Sequence, residues 1–197
     1  AWLQDPGFGA LDIRDLSQVG ENKIVLSFQA SAADADVEEV YLLGDFGVWF
    51  RDGRYKVGSE PKSLQPGSWV EQGYPFYSGT MRYQLDLEGG QEDLWLDCSS
   101  AAGSLLRVFV NGDCVSELPW RPWVVNVGPH MHPGPNRVEV EVVSSLRNAF
   151  GPLHHKLGDK IPWVGPGQFT VSADHWTDTY QFAPYGLLAP VRLLTGE

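Results

Sequence analysis

The chain has 197 residues, of which 43% are hydrophobic and 12% aromatic. This composition excludes a disordered chain, and the length suits one large β domain, with or without an additional layer, rather than two complete sandwiches. The formal net charge of -11 argues against nucleic acid and anionic membranes as partners, because both reward clustered lysine and arginine. No apolar run is long enough to span a membrane, and no signal peptide is evident at the start.

Short apolar runs separated by glycine and proline predict an all-β protein, an antiparallel β-sandwich with long irregular loops. No helix of ordinary length is expected, and residues 31 to 39 are predicted to form a loop with at most two turns of helix. In chain order, the predicted strands are Lys23–Gln29, Val37–Leu43, Arg54–Val57, Thr80–Leu87, Asp93–Cys98, Leu105–Val110, Asp113–Leu118, Trp123–Val127, Asn136–Val143, Gln168–Ser172 and Val191–Thr195.

The clearest local signal is Asn111-Gly112, which lies between two apolar runs. Both residue types tolerate positive φ, so the pair predicts a tight hairpin. The strand after it alternates strictly, with Val138, Val140 and Val142 on one face. Such alternation predicts one buried face and one solvated face, and Glu139 and Glu141 are assigned to the solvated face.

A second feature is a repeat. Leu11-Asp12-Ile13 precedes Gly20-Glu21-Asn22, and Val125-Asn126-Val127 precedes Gly134-Pro135-Asn136 at the same spacing. Each copy reads as a short strand, a loop, a G-x-N turn and an alternating strand. Glycine and asparagine favour tight turns, so we interpret the repeat as a recurring strand-entry turn without a ligand.

The organisation follows from these elements. Residues 1–60 are predicted to be N-terminal strands, either an extra layer or the tail of an adjoining β domain, and residues 61–197 the sandwich itself. The regions 58–79 and 144–167 lack a strand signal, and long irregular loops in a compact domain are usually functional or cover another surface. Cys98 and Cys114 are expected to be free thiols, although a bridge between them is not excluded by sequence.

From about residue 73 to residue 148 the motifs resemble a known family. Pro75-Phe76-Tyr77-Ser78-Gly79-Thr80, Val108-Phe109-Val110-Asn111-Gly112, Leu118-Pro119-Trp120-Arg121-Pro122-Trp123 and Leu146-Arg147-Asn148 occur in this order. They resemble the galactose-binding-like jelly roll of glycoside hydrolase family 2 and of α-L-rhamnosidase-like enzymes. The resemblance implies a sugar-binding-type domain cut from a larger enzyme.

That resemblance implies a non-catalytic accessory module, because the family's catalytic carboxylates lie in a separate barrel of about 250 residues. The implied partners are an oligo- or polysaccharide and the catalytic domain of the parent enzyme, which is expected to be secreted or periplasmic. An alternative is a purely structural domain that packs against the catalytic domain. No cofactor is implied, although domains of this fold often hold a structural calcium.

Candidate ligand-binding residues are aromatic or polar side chains in loops, because sugars stack on flat aromatic faces and bind polar groups through hydroxyls. The alternative for Trp120 and Trp123, on either side of Pro122, is packing at a structural corner. For the loop histidines the alternative is that they bond to backbone carbonyls or contact a catalytic domain. The candidates are Trp163, His154, His155, Asn148, Asp159, Trp176, Trp120 and Trp123.

A third hypothesis is a small metal-dependent or lyase-type enzyme. The H-x-H spacing of His130 and His132 suits a metal, with His154 and His155 as further ligands. However, a nearby acidic ligand is lacking, since Glu139 is predicted on the outer face of a strand. Any metal ligands therefore stay unassigned from sequence.

Overall fold

The computed structural model describes residues 2–3, 5–27 and 40–195, and it describes neither the side chains of residues 2–8 nor that of residue 159. The chain divides into two compact units, Ala1–Leu43 and Gly44–Glu197. Antiparallel strands dominate, so the prediction of an all-β protein is confirmed. Within the described residues, no helix is long and apolar enough to cross a membrane.

The first unit contains a two-stranded pairing and one turn of 3-10 helix. Strands β1 (Trp2–Leu3) and β2 (Asp5–Gly9) pair with each other, and the helix spans Arg14–Leu16. The predicted strand Lys23–Gln29 is not formed over residues 23–27, and residues 28 and 29 lie outside the described part. Residues 40–43 of the predicted strand Val37–Leu43 are likewise not in a strand, and residues 31–39 are not described.

The second unit holds the remaining strands. They are β3 (Gly47–Arg51), β4 (Arg54–Gly58), β5 (Thr80–Gly89), β6 (Leu94–Asp97), β7 (Ala101–Ala102), β8 (Leu105–Val110), β9 (Asp113–Leu118), β10 (Val124–Asn126), β11 (Gly134–Val143), β12 (Gly186–Leu187) and β13 (Arg192–Thr195). One α-helix, α1, spans Arg147–Phe150, and 3-10 turns span Trp69–Gln72, Gly128–His130, Gly158–Lys160 and Pro166–Phe169.

Two sheets enclose the core of this unit. One has four strands in the order β5-β11-β8-β9, and the other has three in the order β10-β6-β13. Alternate residues of β8 and β11 point inward, as their period of two requires. They meet apolar side chains of β6 in one buried cluster, which includes Leu96, Leu106, Val108, Val138, Val140 and Val142.

The predicted hairpin at Asn111-Gly112 is confirmed. Asn111 has a φ of 51° and Gly112 a φ of 96°, the positive values that a tight two-residue turn between twisted strands needs. A second hairpin of the same kind joins β3 to β4 through Asp52 (φ 53°) and Gly53 (φ 76°). Strand β3 was not predicted, although Asp-Gly between aromatic runs is the same signal.

The predicted solvated face of β11 is wrong for two residues. Glu139 and Glu141 are 6% and 7% exposed. Arginine side chains from the neighbouring strands and from β11 itself lie over them and form ion pairs: Arg82 with Glu141 at 2.8 Å, Arg107 with Glu141 at 2.8 Å, and Arg137 with Glu139 at 2.9 Å. A buried carboxylate is tolerated when it is paired and hydrogen-bonded in this way.

The predicted strand Gln168–Ser172 is also wrong, because residues 166–169 form a 3-10 turn. The Gly165 N–H donates to the side-chain oxygen of Gln168 at 2.8 Å, and the Gln168 N–H donates to the Gly165 carbonyl at 3.0 Å. These local bonds, with Pro166 at the first turn position, close a tight turn that competes with an extended strand.

The hairpin of β3 and β4 belongs to the second compact unit, Gly44–Glu197, and the predicted boundary lies just after it, at residue 60. The Val48 N–H donates to the Gly73 carbonyl at 2.8 Å. A Cβ on Gly73 would lie 2.8 Å from the ring of Trp49, so glycine lets the two segments approach closely. The ring of Tyr55 also contacts that of Phe76 at 5.6 Å between centroids.

Both cysteines are free. Cys98 is buried at the end of β6, and Cys114 is exposed on β9. Burial, with a smaller contribution from Asp97, raises the pKa of the Cys98 thiol to about 12. Cys98 therefore behaves as a small core residue rather than as a reactive thiol.

Candidate functional site

An open cleft of about 550 Å³ lies in the second unit, beside the corner between β9 and β10. Its lining comes from residues 102–104, from the corner and from the irregular segments after β11. The described lining residues are Ala102, Gly103, Ser104, Trp120, Arg121, Trp123, Ser145, Arg147, Gly158, Ile161, Val164, Ala183, Pro184 and Tyr185. Loops held by a rigid sandwich are a common location for binding sites.

The corner between β9 and β10 contains two tryptophans that look equivalent in the sequence but differ in exposure. Trp123 is only 4% exposed and belongs to the core, whereas Trp120 is 76% exposed at the cleft. The guanidinium of Arg121 lies 4.7 Å from the centre of the Trp123 ring. It donates to the Ser99 carbonyl at 2.6 Å and to the Ala101 carbonyl at 3.0 Å. These contacts fix Arg121 in place.

Further polar groups of the cleft come from the segment after β11 and from the segment before β12. The hydroxyls of Ser145 and Tyr185 lie 2.7 Å apart and share a hydrogen bond. Arg147 donates to the Gln181 carbonyl at 3.1 Å. The cleft thus combines an exposed indole, hydroxyl groups and guanidinium groups, which are the groups that a polar ligand with apolar faces requires.

Asn148 does not reach the cleft. Its side chain is fully buried, its Nδ2 donates to the Ala183 carbonyl at 2.9 Å, and its Oδ1 accepts from the Ala183 N–H at 2.9 Å. Both ends of the amide are therefore occupied. Asn148 anchors the segment that carries Pro184 and Tyr185 to the cleft, which is a supporting role rather than ligand contact.

His154 and His155, two of the predicted ligand-binding residues, join two loop segments. His154 stacks on Trp176 at 4.4 Å between ring centroids, and its Nδ1 lies 2.8 Å from the Thr177 carbonyl. His155 stacks on His175 at 4.2 Å. The His154 ring contacts a backbone carbonyl, whereas His155 contacts a backbone N–H, and none of these four rings is among the described residues that line the cleft.

His155 is buried, and its Nδ1 accepts a hydrogen bond from the Leu157 N–H at 3.2 Å. Burial lowers the pKa of His155, and the positive charges that His175 and Arg147 can carry lower it further. The neutral imidazole is the form that accepts a hydrogen bond at Nδ1, so the geometry and the pKa direction agree.

The remaining candidates differ in position. Trp163 is exposed, and the lining residues Ile161 and Val164 flank it along the chain. Trp176 is half-buried and donates through Nε1 to Asp178 Oδ1 at 3.1 Å. The side chain of Asp159 lies outside the described part. Arg121, Ser145 and Tyr185 were not among the predicted ligand-binding residues, although Arg121 stands between Trp120 and Pro122 in the corner motif.

In the ranges that the structure describes, no three side chains among histidine, cysteine, aspartate and glutamate come together in a metal-binding group. His130 and His132 are both exposed, and His132 Nδ1 lies 3.1 Å from the Pro133 carbonyl. The histidine partner brought next to His155 is His175, which the metal hypothesis did not include.

Several solved structures of glycoside hydrolases are similar to part of this chain. A rhamnosidase from Novosphingobium sp. PP1Y matches 75% of this chain and 14% of its own, at 25% identity and a TM-score of 0.43. A β-glucuronidase from Bifidobacterium dentium matches 69% of this chain and 25% of its own, at 22% identity and a TM-score of 0.43. A β-galacturonidase from Eisenbergiella tayi matches 54% of this chain and 18% of its own, at 24% identity and a TM-score of 0.32.

The chain therefore spans a quarter or less of each of these enzymes. No protein-family model matches the chain, and no curated protein sequence does. This chain is therefore similar to only a part, the size of one domain, of each of these glycoside hydrolase chains.

Proposed function

We propose that the chain is a non-catalytic accessory module that binds carbohydrate, from a larger glycoside hydrolase of the α-L-rhamnosidase-like type. The observation that carries the proposal is the cleft, whose lining includes the exposed indole of Trp120 and polar groups of Arg121, Ser145 and Tyr185. The ordered motifs from residue 73 to residue 148 support the enzyme class. The catalytic carboxylates would belong to a separate domain of the parent.

In this proposal the indole of Trp120 stacks on the apolar face of a sugar ring, which needs a flat and accessible aromatic side chain. The hydroxyls of Ser145 and Tyr185 exchange hydrogen bonds with sugar hydroxyls, since each hydroxyl both donates and accepts. Arg121 donates to the sugar through N–H groups beyond those that bind Ser99 and Ala101.

The test is titration of plant-type oligosaccharides, followed by calorimetry and by NMR of the labelled chain. We expect weak binding with a Kd of about 1 mM and shifts at the cleft residues. Trp120→Ala should weaken binding by about fivefold or more, because it removes a stacking contact of about 1 kcal/mol.

Trp95→Ala is the matched control, because Trp95 is a partly exposed tryptophan on β6 that does not line the cleft. It should leave the affinity unchanged. The carbohydrate role is refuted if no oligosaccharide binds at millimolar concentration. It is also refuted if both variants lose the same affinity.

A second candidate is a structural module that packs against a catalytic domain. It is favoured by exposed apolar side chains concentrated between residues 157 and 171, namely Leu157, Trp163, Val164, Phe169 and Val171. Exposed apolar groups in such density are typical of surfaces that a partner covers. If the chain is such a module, it should self-associate at high concentration and bind no sugar. Combining Trp163→Gln with Val171→Gln should reduce the self-association. A chain that stays monomeric at all concentrations would count against it.

A further inference from the structure

The hairpin of β3 and β4 concentrates positive charge on one of its faces. Trp49 lies directly opposite Lys56 in the strand pairing, and Arg51 lies directly opposite Arg54. Side chains that are directly opposite in an antiparallel pair, or two residues apart along a strand, point to the same face. One face of the hairpin therefore carries three cationic side chains and one indole, in a chain whose formal net charge is -11.

Most of this charge is not neutralised within the protein. Lys56 forms a salt bridge with Asp52 at 2.5 Å, and the side chain of Asp52 is 82% exposed. No described residue forms an ion pair with Arg51 or with Arg54. The two guanidinium groups therefore keep N–H donors for a ligand.

The indole on this face is held in place by its surroundings. A Cβ on Gly47 would lie 2.8 Å from Nε1 of Trp49, and a Cβ on Gly58 would lie 3.2 Å from its Cδ1, so both glycines let the indole approach the backbone. Nε1 of Trp49 donates to the Ser59 carbonyl at 3.4 Å. The guanidinium of Arg51 lies 5.9 Å from the centre of the indole, within the range of a cation–π interaction.

An open cavity of about 450 Å³ lies beside this face, and we call it the hairpin cavity. Its described lining residues are Trp49, Arg51, Lys56, Val57, Gly58 and Ser59. None of them lines the cleft beside the corner between β9 and β10. The volume lies within the range of small-molecule sites, about 300–1,000 Å³. Two cationic groups, an indole and a hydroxyl thus border one space.

This set of groups indicates the chemistry of a ligand. Arginine and lysine favour an anion, and the planar fork of arginine matches a carboxylate through two parallel N–H bonds. A single indole stacks on one apolar face of a ring, while the hydroxyl of Ser59 suits a polar edge. A flat aromatic ligand would need an apolar wall on both of its faces, whereas a sugar ring has polar hydroxyls around its edge.

We propose that the hairpin cavity binds an acidic sugar, a saccharide whose rings carry carboxylates. Arg51 pairs with a carboxylate, Lys56 supplies a second positive charge, and the indole of Trp49 stacks on the apolar face of the same or the next ring. Because this site shares no lining residue with the cleft, it does not depend on the carbohydrate role proposed for the cleft.

The probe is trigalacturonate, titrated at low salt into the isotopically labelled 197-residue chain and followed by NMR. We expect a Kd of about 1 mM, with chemical-shift changes concentrated at residues 49–59. Binding should weaken as added salt screens the charges. The fully methyl-esterified trisaccharide keeps the rings but lacks the carboxylates, so it should bind about tenfold more weakly or not at all.

Arg51→Gln should weaken trigalacturonate binding by about tenfold, because it removes a charged donor from the cavity without breaking an ion pair of the described residues. Lys160→Gln is the charge-matched control, since Lys160 is exposed and lines neither the hairpin cavity nor the cleft. It should change the affinity by less than about twofold.

Absence of trigalacturonate binding, or equal affinity for its methyl ester, would overturn the proposal. So would equal affinity for a hexaglutamate peptide, because charge alone would then account for binding. Loss of trigalacturonate binding in Trp120→Ala would also overturn it, because the acidic sugar would then occupy the cleft. Trigalacturonate shifts at residues 49–59, with no neutral oligosaccharide bound at the cleft, would support this site and leave the cleft without a ligand.

Discussion

Asn136 and Asn111 connect two turns that are far apart in the sequence. Asn111 Nδ2 donates to Asn136 Oδ1 at 2.8 Å, and Asn111 Oδ1 accepts from the Arg137 N–H at 3.0 Å. The Asn111-Gly112 hairpin and the G-x-N turn are therefore parts of one hydrogen-bond network. Asn136 is 3% exposed, so each of its polar atoms depends on a partner within the protein.

Asn136→Ala should lower the free energy of unfolding by about 2–3 kcal/mol, because it leaves buried partner groups without hydrogen bonds. Urea denaturation of the whole chain measures this loss. The matched control is Asn22→Ala, which removes the same local bonds from an exposed turn and should change stability by less than about 0.5 kcal/mol. Similar losses in the two variants would contradict the assigned importance of burial.

At this scale the sequence is a good guide to backbone conformation and a poor one to side-chain surroundings. The positive φ of Asn111 and Gly112 follows from residue type. The different exposure of Trp120 and Trp123 does not, because both stand beside prolines in one short motif. Their exposure depends on which side of the corner faces the core, and that is decided by packing between residues distant in sequence.

At the scale of elements, the outer face of the four-stranded sheet is covered by ion pairs. Arg82 and Arg107 lie on the strands either side of β11, and both donate to Glu141 at 2.8 Å. Arg82 also lies 4.5 Å from the centre of the Phe109 ring. Burial alone would raise the pKa of Glu141, but the hydrogen bonds from the two arginines outweigh it, so that the pKa is lowered.

This shift predicts acid sensitivity. A carboxyl whose pKa is lower in the folded state than in the unfolded chain stabilises the fold above its ordinary value of 4.5. That contribution disappears as the pH falls from 4.5 through the lower, folded-state pKa. Glu141→Gln should therefore be less stable than the parent at pH 7, and the difference should shrink as the pH falls towards 3.

Thermal unfolding of the two proteins between pH 3 and pH 7 tests this expectation. Glu117→Gln is a suitable control, because Glu117 pairs with Arg107 at 2.8 Å but its side chain is largely exposed. Exposed ion pairs contribute about 0–1 kcal/mol, so its effect should be small at every pH. A constant difference between the parent and Glu141→Gln across the whole range would contradict the role of the ionised carboxylate.

Strands with strict alternation or a tight-turn signal were predicted well, and segments with competing local bonds were not. Strands β5, β8, β9 and β11 lie within a few residues of their predicted bounds. The 3-10 turn at Pro166–Phe169 was mistaken for a strand because its apolar residues alternate over a short stretch. Alternation alone does not reveal that a glutamine side chain bonds back to the start of its own turn.

At the scale of the whole molecule, an aromatic cluster joins the hairpin of β3 and β4 to the rest of the second unit. Tyr55 contacts Phe76, Tyr180 and Phe182 with centroid distances of 5.6, 5.2 and 5.9 Å. Each edge-to-face contact of this kind stabilises the fold by about 0.5–1.5 kcal/mol, in addition to the contribution from burying the rings. Tyr180 and Phe182 lie just before the lining residues Ala183, Pro184 and Tyr185, so the same cluster anchors this segment of the cleft.

Tyr55→Ala should lower the stability of the second unit by about 2–3 kcal/mol, because it removes a large side chain that contacts four other rings. Limited proteolysis should also cut within residues 44–60 more rapidly. Phe50→Ala is the control, since Phe50 is 64% exposed. Among the ring contacts of the described residues, its ring contacts that of Tyr55 alone. Its effect should be under about 1 kcal/mol, and a loss as large as that of Tyr55→Ala would place the hairpin's anchor elsewhere.

The sequence by itself determined the all-β class, the main hairpin, the strand periodicity and the repeated turn, because these depend on residues close together in the chain. Only the tertiary structure decided which polar side chains are buried and which loops meet. It placed Asn148 and His155 inside the protein and brought Trp120, Arg121, Ser145 and Tyr185 around one cleft. The physical reason is that exposure and proximity depend on packing between distant segments, which local patterns do not encode.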